Sequence, residues 1–246
     1  MKHLIFALAA GLALTTIAHA EKPLKVIIVS GGCCHDYANQ KNILAETLTA
    51  KINAEITQIG EDPDAVKAAL SKEGWAGDAD AVVYNFCDAK QTDYDYIKSV
   101  ANVHTEGGKG AVMVHCAMHT YHWKLPEDQK IWAELIGAAS PGHIHKEAID
   151  VTTTEAGKSH PIMKGIPDNW KTPNGELYKT PKMYDTATVL ATGKNSKQEH
   201  NVIWVNELGK ARVFAITLGH HNETMQDKTW QEVFTRGVQW SAGTLK

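Results

Sequence analysis

Four short β-branched runs, each separated from the next by a segment of helical pattern, constrain this chain more than any other feature. They cover 24–30, 54–59, 80–86 and 111–115, and the first ends in Gly31-Gly32. Between them, 39–51 carries Ile43, Leu44, Thr47 and Leu48 at helical spacing, and 63–70 and 93–105 read the same way. The 80–86 run is apolar nearly throughout, as a strand covered on both faces should be. Strands alternating with helices predict right-handed βαβ crossovers and an α/β fold: a mostly parallel sheet with helices on both faces. Downstream, 143–154, 186–192, 201–205 and 212–218 read as strands, and 230–242 as a closing helix. Some of these strands are expected to extend the sheet in antiparallel fashion. No linker divides the chain, so residues 21–246 are read as one domain, long enough to bury a large core.

Residues 1–20 read differently. Met1-Lys2-His3, an apolar stretch from Leu4 to Leu14 and an Ala18-His19-Ala20 ending are the three parts of a secretory signal peptide. The stretch is shorter than the roughly 20 residues that span a bilayer. The expectation is an exported protein, periplasmic or secreted, starting at Glu21 and free of the membrane after cleavage. Removing Lys2 takes the formal net charge from −3 to −4. Such a mild imbalance, with no basic stripe, speaks against nucleic acid as a partner. The oligomeric state is not legible.

Of 13 histidines, His3 and His19 leave with the leader; several of the rest cluster just past strands. Open α/β sheets bind ligands beyond the carboxyl ends of their strands. There the sequence places Cys33-Cys34-His35-Asp36, then Asn85 with Cys87-Asp88, then His115-Cys116-Ala117-Met118-His119, and finally His220-His221-Asn222-Glu223. Three explanations stay open. A divalent transition metal (zinc, iron, manganese or nickel) suits neutral imidazoles and carboxylates. His143 and His145 alternate on a strand, and His115 and His119 share a face if a helix starts at once. Alternatively, Cys116 at a strand-to-helix turn is a nucleophile, although Val114 and Met118 stand where a tight elbow prefers glycine. Thirdly, the cysteines are structural, as exported proteins often pair them. The adjacent pair Cys33–Cys34 makes a tight ring, so a bridge from one of these to Cys87 or Cys116 is expected. His104 and His200 are expected to be solvated, and Trp170, Trp204 and Trp240 to be core. Trp123, beside His122 in a loop, is the aromatic best placed to face a sugar.

Further pieces recur in a familiar order: Gly31-Gly32 with His35-Asp36, His115-x-Ala117, Gly142-His143, Ser159-His160-Pro161-Ile162, Gly175-Glu176-Leu177-Tyr178, Gly209-Lys210-Ala211-Arg212-Val213-Phe214 and Leu218-Gly219-His220. Together they resemble the ThuA-like (trehalose utilisation) family over about residues 24–243. The resemblance implies a flavodoxin-like, class I glutamine amidotransferase-like three-layer sandwich. It also implies carbohydrate use, beside oxidoreductases that make 3-keto sugars. Members generally lack the amidotransferase triad, to which Cys116 and His221-Asn222-Glu223 are only superficially similar. The reading carried forward is an exported carbohydrate-processing enzyme, performing metal-assisted hydrolysis or elimination on a 3-keto-glycoside. His35, His115, Glu176 and His220 are its candidate catalytic residues, and His35, His115, His143 and His220 its candidate metal ligands. Asp36, Asn85, His119, Trp123 and His145 are the candidate substrate contacts. No nucleotide cofactor is expected. The alternative is a non-catalytic sugar-binding module.

Overall fold

The computed structural model describes residues 22–121, 124–180 and 182–245. The expected leader and Trp123 therefore lie outside the described residues.

In the first half, local pattern and fold coincide. β1 (Leu24–Gly32), α1 (Tyr37–Lys51), β2 (Ala54–Ile59), α2 (Pro63–Leu70), β3 (Ala81–Cys87), α3 (Tyr94–Thr105) and β4 (Gly110–Val114) follow one another. A 3-10 turn, His115–His119, comes directly after β4. Then come α4 (Ile131–Ile136), β5 (Ala138–Ala139), β6 (His143–Lys146), β7 (Asp150–Thr153), α5 (Glu155–Ser159), β8 (Asn169–Lys171), β9 (Glu176–Tyr178) and β10 (Lys182–Met183). β11 (Ala187–Lys194), β12 (Glu199–Leu208), β13 (Ala211–Ile216), α6 (Asn222–Met225) and α7 (Lys228–Ser241) complete the chain.

Nine strands form one sheet in the order β2-β1-β3-β4-β13-β12-β11-β7-β8. Pairing is parallel from β2 through β13 and antiparallel from β13 to β8, so the sheet is mixed. Strand periodicity divides the core. Val26, Ile28, Val83 and Val112 pack with Leu44 and Leu48 of α1 and Trp230 and Phe234 of α7. Ile27, Val29, Val82 and Tyr84 pack with Val66 of α2, Ile97 of α3 and Trp132 of α4.

The 143–154 run is not one strand. β6 pairs with β9 in a separate two-stranded sheet, whereas β7 joins the large one. Between them the backbone turns inward: Glu147 N–H donates to Gly175 O (3.0 Å), Ile149 N–H to Thr172 Oγ1 (2.8 Å), and Ile149 is buried. Two blander histidine readings also differ from the fold. His104, expected in solvent, is 0% exposed. Its Nδ1 donates to Lys109 O (2.9 Å), leaving Nε2 to accept from Tyr84 Oη (2.7 Å). His200 is half-buried, with Nδ1 accepting from Thr180 N–H (3.3 Å). Trp204 and Trp240 are core, as expected, and Trp170 packs against it partly buried.

Candidate metal centre

β1, β3, β4 and β13 are consecutive parallel strands of the large sheet, so their carboxyl ends share one edge, and Glu176 from the separate β6–β9 sheet reaches that edge. Gly32 is paired with Cys87 on β3, and a Cβ there would sit 2.3 Å from Cys87 O. Only glycine permits that approach, after which the chain turns through Cys33-Cys34 and delivers His35. His115 begins the turn after β4 with φ +44°, the left-handed region, at a cost of about 1–2 kcal/mol for a residue with a Cβ. Its Nδ1 lies 2.5 Å from Thr217 O. A carbonyl can only accept, so the proton is on Nδ1 and the Nε2 lone pair faces the site. The backbone at His220 is held from below by Gln40 of α1. Gln40 Nε2 donates to His220 O (3.2 Å) and Gly219 O (3.4 Å), and Asn85 Nδ2 donates to Gln40 Oε1 (3.2 Å). Glu176 opens β9 and is 3% exposed.

These four residues converge. Glu176 Oε2 lies 3.4 Å from His115 Nε2 and 3.2 Å from His220 Nδ1, and its Oε1 lies 3.2 Å from His143 Nδ1. The His35 ring centroid is 4.8 Å from that of His115 and 4.6 Å from that of His220. One ligating atom from each of His35, His115, Glu176 and His220 lies within 4.8 Å of the others. His35 Nε2, His115 Nε2 and His220 Nδ1 are buried without a hydrogen bond. Leaving a buried nitrogen unsatisfied costs about 1–3 kcal/mol, so three at one point mark a place where something else completes them. Ligands about 2.1 Å from one ion stand roughly 3–4 Å apart, within reach by small side-chain rotations. Three imidazoles and a carboxylate fit a divalent transition metal.

Electrostatics agree with that fit. Burial pushes His35 down to about 3, with the neighbouring His115 and His220 adding to the effect. Burial also lowers His115, against a partial pull upward from Glu176. Burial by itself would raise Glu176, but the close approach of the His115 and His220 rings to its Oε2 outweighs it and holds the carboxyl below its usual range. A neutral His35 and His115 facing an ionised carboxylate are protonation states that ligate metal. The group borders a pocket of about 680 Å³, lined by Cys34, His35, Asp36, His220, His221, Asn222 and Glu223.

Several expected site residues lie elsewhere. Glu176 takes the fourth position assigned to His143, which is 49% exposed and touches the outer oxygen of Glu176. His145 is exposed on β6, where the register slips between Ile144 and Lys146, and does not belong to the group that converges with Glu176. Asn85 is 1% exposed and supports Gln40 rather than lining the pocket. His119 is buried, stacked on Tyr178 (4.1 Å) and bonded through Nε2 to Ser140 Oγ (3.0 Å), because the turn after β4 is 3-10 and sends it away from His115. Asp36 does stand at the pocket, its Oδ2 accepting from Asn39 Nδ2 and Asn222 Nδ2 at 2.7 Å each. Gln40 was the residue sequence reasoning missed. Its signal was a polar side chain at i−4 and i−8 from Leu44 and Leu48 on the buried face of α1.

The cysteines are also rearranged. Cys33 and Cys34 bond to each other, and Cys87 and Cys116 are buried thiols packed with Tyr37. A bridge from the pair to either of them is not formed. The Cys116 thiol is pushed far up by its hydrogen bond with Cys87 and then by burial. A thiol so held is a poor nucleophile, and Cys116 belongs to the core.

Residues 25–241 match the family profile named ThuA, described as trehalose utilisation. No curated protein matches the chain. Among solved structures, a ThuA-like protein from Parabacteroides merdae is similar, with TM-score 0.73 and 18% identity, covering 92% of each chain. A cytoplasmic protein from Salmonella typhimurium LT2 gives TM-score 0.65 and 13% identity, over 88% of this chain and 99% of that one. Agd3, a carbohydrate deacetylase, gives TM-score 0.52 and 14% identity, over 87% of this chain and 33% of that one. At these identities the likeness shows the α/β fold alone.

Proposed function

We propose, from the premise that this chain belongs to the ThuA (trehalose utilisation) family, that it is an exported, metal-dependent enzyme acting on carbohydrate. The observation that carries the reading is the convergence of three buried, hydrogen-bond-free imidazole nitrogens and one carboxylate beside an open pocket. A structural cluster of histidines would satisfy those nitrogens internally.

The proposed chemistry is hydrolysis or elimination on a keto-glycoside. His35, His115, His220 and Glu176 would hold the ion. When bound, the ion would supply Lewis acidity toward a ketone oxygen. A C3 ketone acidifies the neighbouring C2–H. A base takes that proton, the C–H electrons form a C1–C2 double bond, and the C1–oxygen bond breaks, the departing oxygen taking up a proton so that the aglycone leaves as an alcohol. Glu176 is one candidate to move the proton. His143 is the other, half-exposed and in contact with Glu176 Oε1. Asp36, held by two amides, would receive sugar hydroxyls. Sugar is also what the deacetylase neighbour acts on, according to its name.

The test is metal analysis of untagged protein, followed by assay on 3-keto-glycosides with detection of the unsaturated product and the released aglycone. One equivalent of transition metal, with turnover lost in His115→Ala and His220→Ala, is the expected result. Sugar binding with no metal and no turnover would move the assignment to a sugar-binding module.

A further inference from the structure

We infer that the Cys33–Cys34 disulfide positions His35 and that reducing this one bond disassembles the metal-binding group. The inference rests on the metal reading above. The other three members are each fixed from outside their own segment. His115 is held by Thr217 O, the His220 backbone by Gln40, and Glu176 by the β6–β9 pairing. His35 differs in its backbone: its Nδ1 partner is Tyr37 Oη (3.1 Å), the buried first residue of α1, so the ring is oriented from α1 while the backbone that carries it comes from the Cys33-Cys34 turn.

The turn itself is unusual. Gly31, Gly32 and Cys34 have φ of +147°, +111° and +83°. Glycine takes such values freely, whereas for Cys34 the left-handed region costs about 1–2 kcal/mol. A covalent link to the preceding residue restricts the backbone to few conformations, and it supplies what the sequence otherwise lacks for holding Cys34 there. The residue displaced by relaxation of Cys34 is the next one, His35.

Both cysteines are exposed. Cys34 lines the pocket beside the metal group, and Cys33 lines a neighbouring pocket of about 610 Å³ together with Cys87 and Asp88. A small dithiol reaches the bond from either side. It delivers two electrons and two protons, the S–S bond breaks to two thiols, and the reductant closes its own disulfide. Cys87 and Cys116, already thiols, take no part. Loss of a group that orients a metal ligand typically weakens binding about 10–100-fold.

The experiment is calorimetric titration of Zn²⁺ into the full chain in three forms: air-oxidised, reduced with the dithiol then removed under argon, and the Cys33→Ser/Cys34→Ser variant. The variant matters because free thiols themselves bind zinc. Thiol counts under denaturing conditions, two oxidised and four reduced, verify the states. The inference expects zinc affinity about 10–100-fold weaker in the serine variant, with faster amide exchange at 33–36 and unchanged circular dichroism. Reoxidation of the reduced chain should restore the affinity. Equal affinity in the oxidised chain and the serine variant would overturn the inference while leaving the metal reading intact, as would four thiols in the oxidised chain. A chain with two thiols that binds no zinc would overturn the metal reading and this inference with it.

Discussion

In the proposed metal site, Glu176 and His115 would divide the work between charge and aim. Glu176 brings the negative charge, nearly buried, with Oε2 between two imidazoles. His115 brings a lone pair whose direction is set by the Nδ1–H bond to Thr217 O. Glu176→Gln keeps the shape and removes the charge, so it should weaken zinc binding by about 100-fold or more, beyond the range for orienting partners. Zinc titration checks this, and unchanged affinity would exclude Glu176 as a ligand. A second buried histidine, His104, makes a prediction about stability. Burial lowers it to about 4, and both ring nitrogens are engaged in their neutral form. Because the unfolded chain takes up the proton first, the contribution is whole above about pH 6.5 and falls as pH drops toward 4. At 1.36 kcal/mol per pKa unit the loss is on the order of 3 kcal/mol. Urea unfolding at pH 7 and pH 4.5 should show a smaller loss in His104→Gln than in the native chain. His35 and His115 shift in the same sense in both proteins and cancel in the comparison.

Elements whose pattern is set locally were legible in the sequence, and those set by distant pairing were not. β2 and α2 begin and end where periodicity and Pro63 place them. The 143–154 run alternates throughout, yet its halves enter different sheets because their partners, Glu176–Tyr178 and Ala187–Lys194, lie far along the chain. That division carries Glu176 to the sheet end and leaves His145 outside. Convergence of His35, His115, Glu176 and His220 was readable because three follow strands of one sheet. The displacement of Asn85 and His119 was not, because a polar residue near a strand end serves the pocket or its foundations equally well by pattern. The closing helix offers an element-scale test. In α7, Asp227 caps the N-terminus by accepting from Thr229 and Trp230 N–H, and a Cβ on Gly237 would meet the Phe214 ring at 2.3 Å. Asp227→Ala should cost about 1 kcal/mol. Gly237→Ala, which forces the ring or the helix to shift, should cost about 1–3 kcal/mol despite alanine's better helix propensity. Chemical denaturation of both variants measures this. A Gly237→Ala chain more stable than the native one would mean that α7 can move off β13.

At the scale of the whole molecule, export and metal make separate predictions. If residues 1–20 are a leader, the intact mass of the secreted form corresponds to a chain starting at Glu21, and a mature chain retaining Met1 would reject the proposal. The metal prediction concerns how the two halves of the sequence are held together. The candidate ligands at 35, 115, 176 and 220 belong to four segments: the turn after β1, the turn after β4, the start of β9 and the turn after β13. Without an ion, these segments are joined at this point by Glu176 contacts of 3.2–3.4 Å to His115 and His220, and His35 Nε2 has no partner. An ion bound by all four ties the small β6–β9 sheet to the carboxyl end of the large one. It binds the folded chain and not the unfolded one, so at free metal a thousandfold above the dissociation constant it adds about 4 kcal/mol. For a chain of this size each kcal/mol raises Tm by about 2–4 °C, so saturating zinc should raise it by roughly 10 °C. Chelation should return the chain to its metal-free Tm, because the apolar side chains packed on both faces of the sheet need no ion to stay out of water. Glu176→Gln should lose most of the increment while retaining the metal-free Tm to within a few degrees. Scanning calorimetry with zinc, with chelator and with the variant distinguishes a bound ion from a surface effect. An increment equally large in Glu176→Gln would place the metal somewhere other than between these four residues.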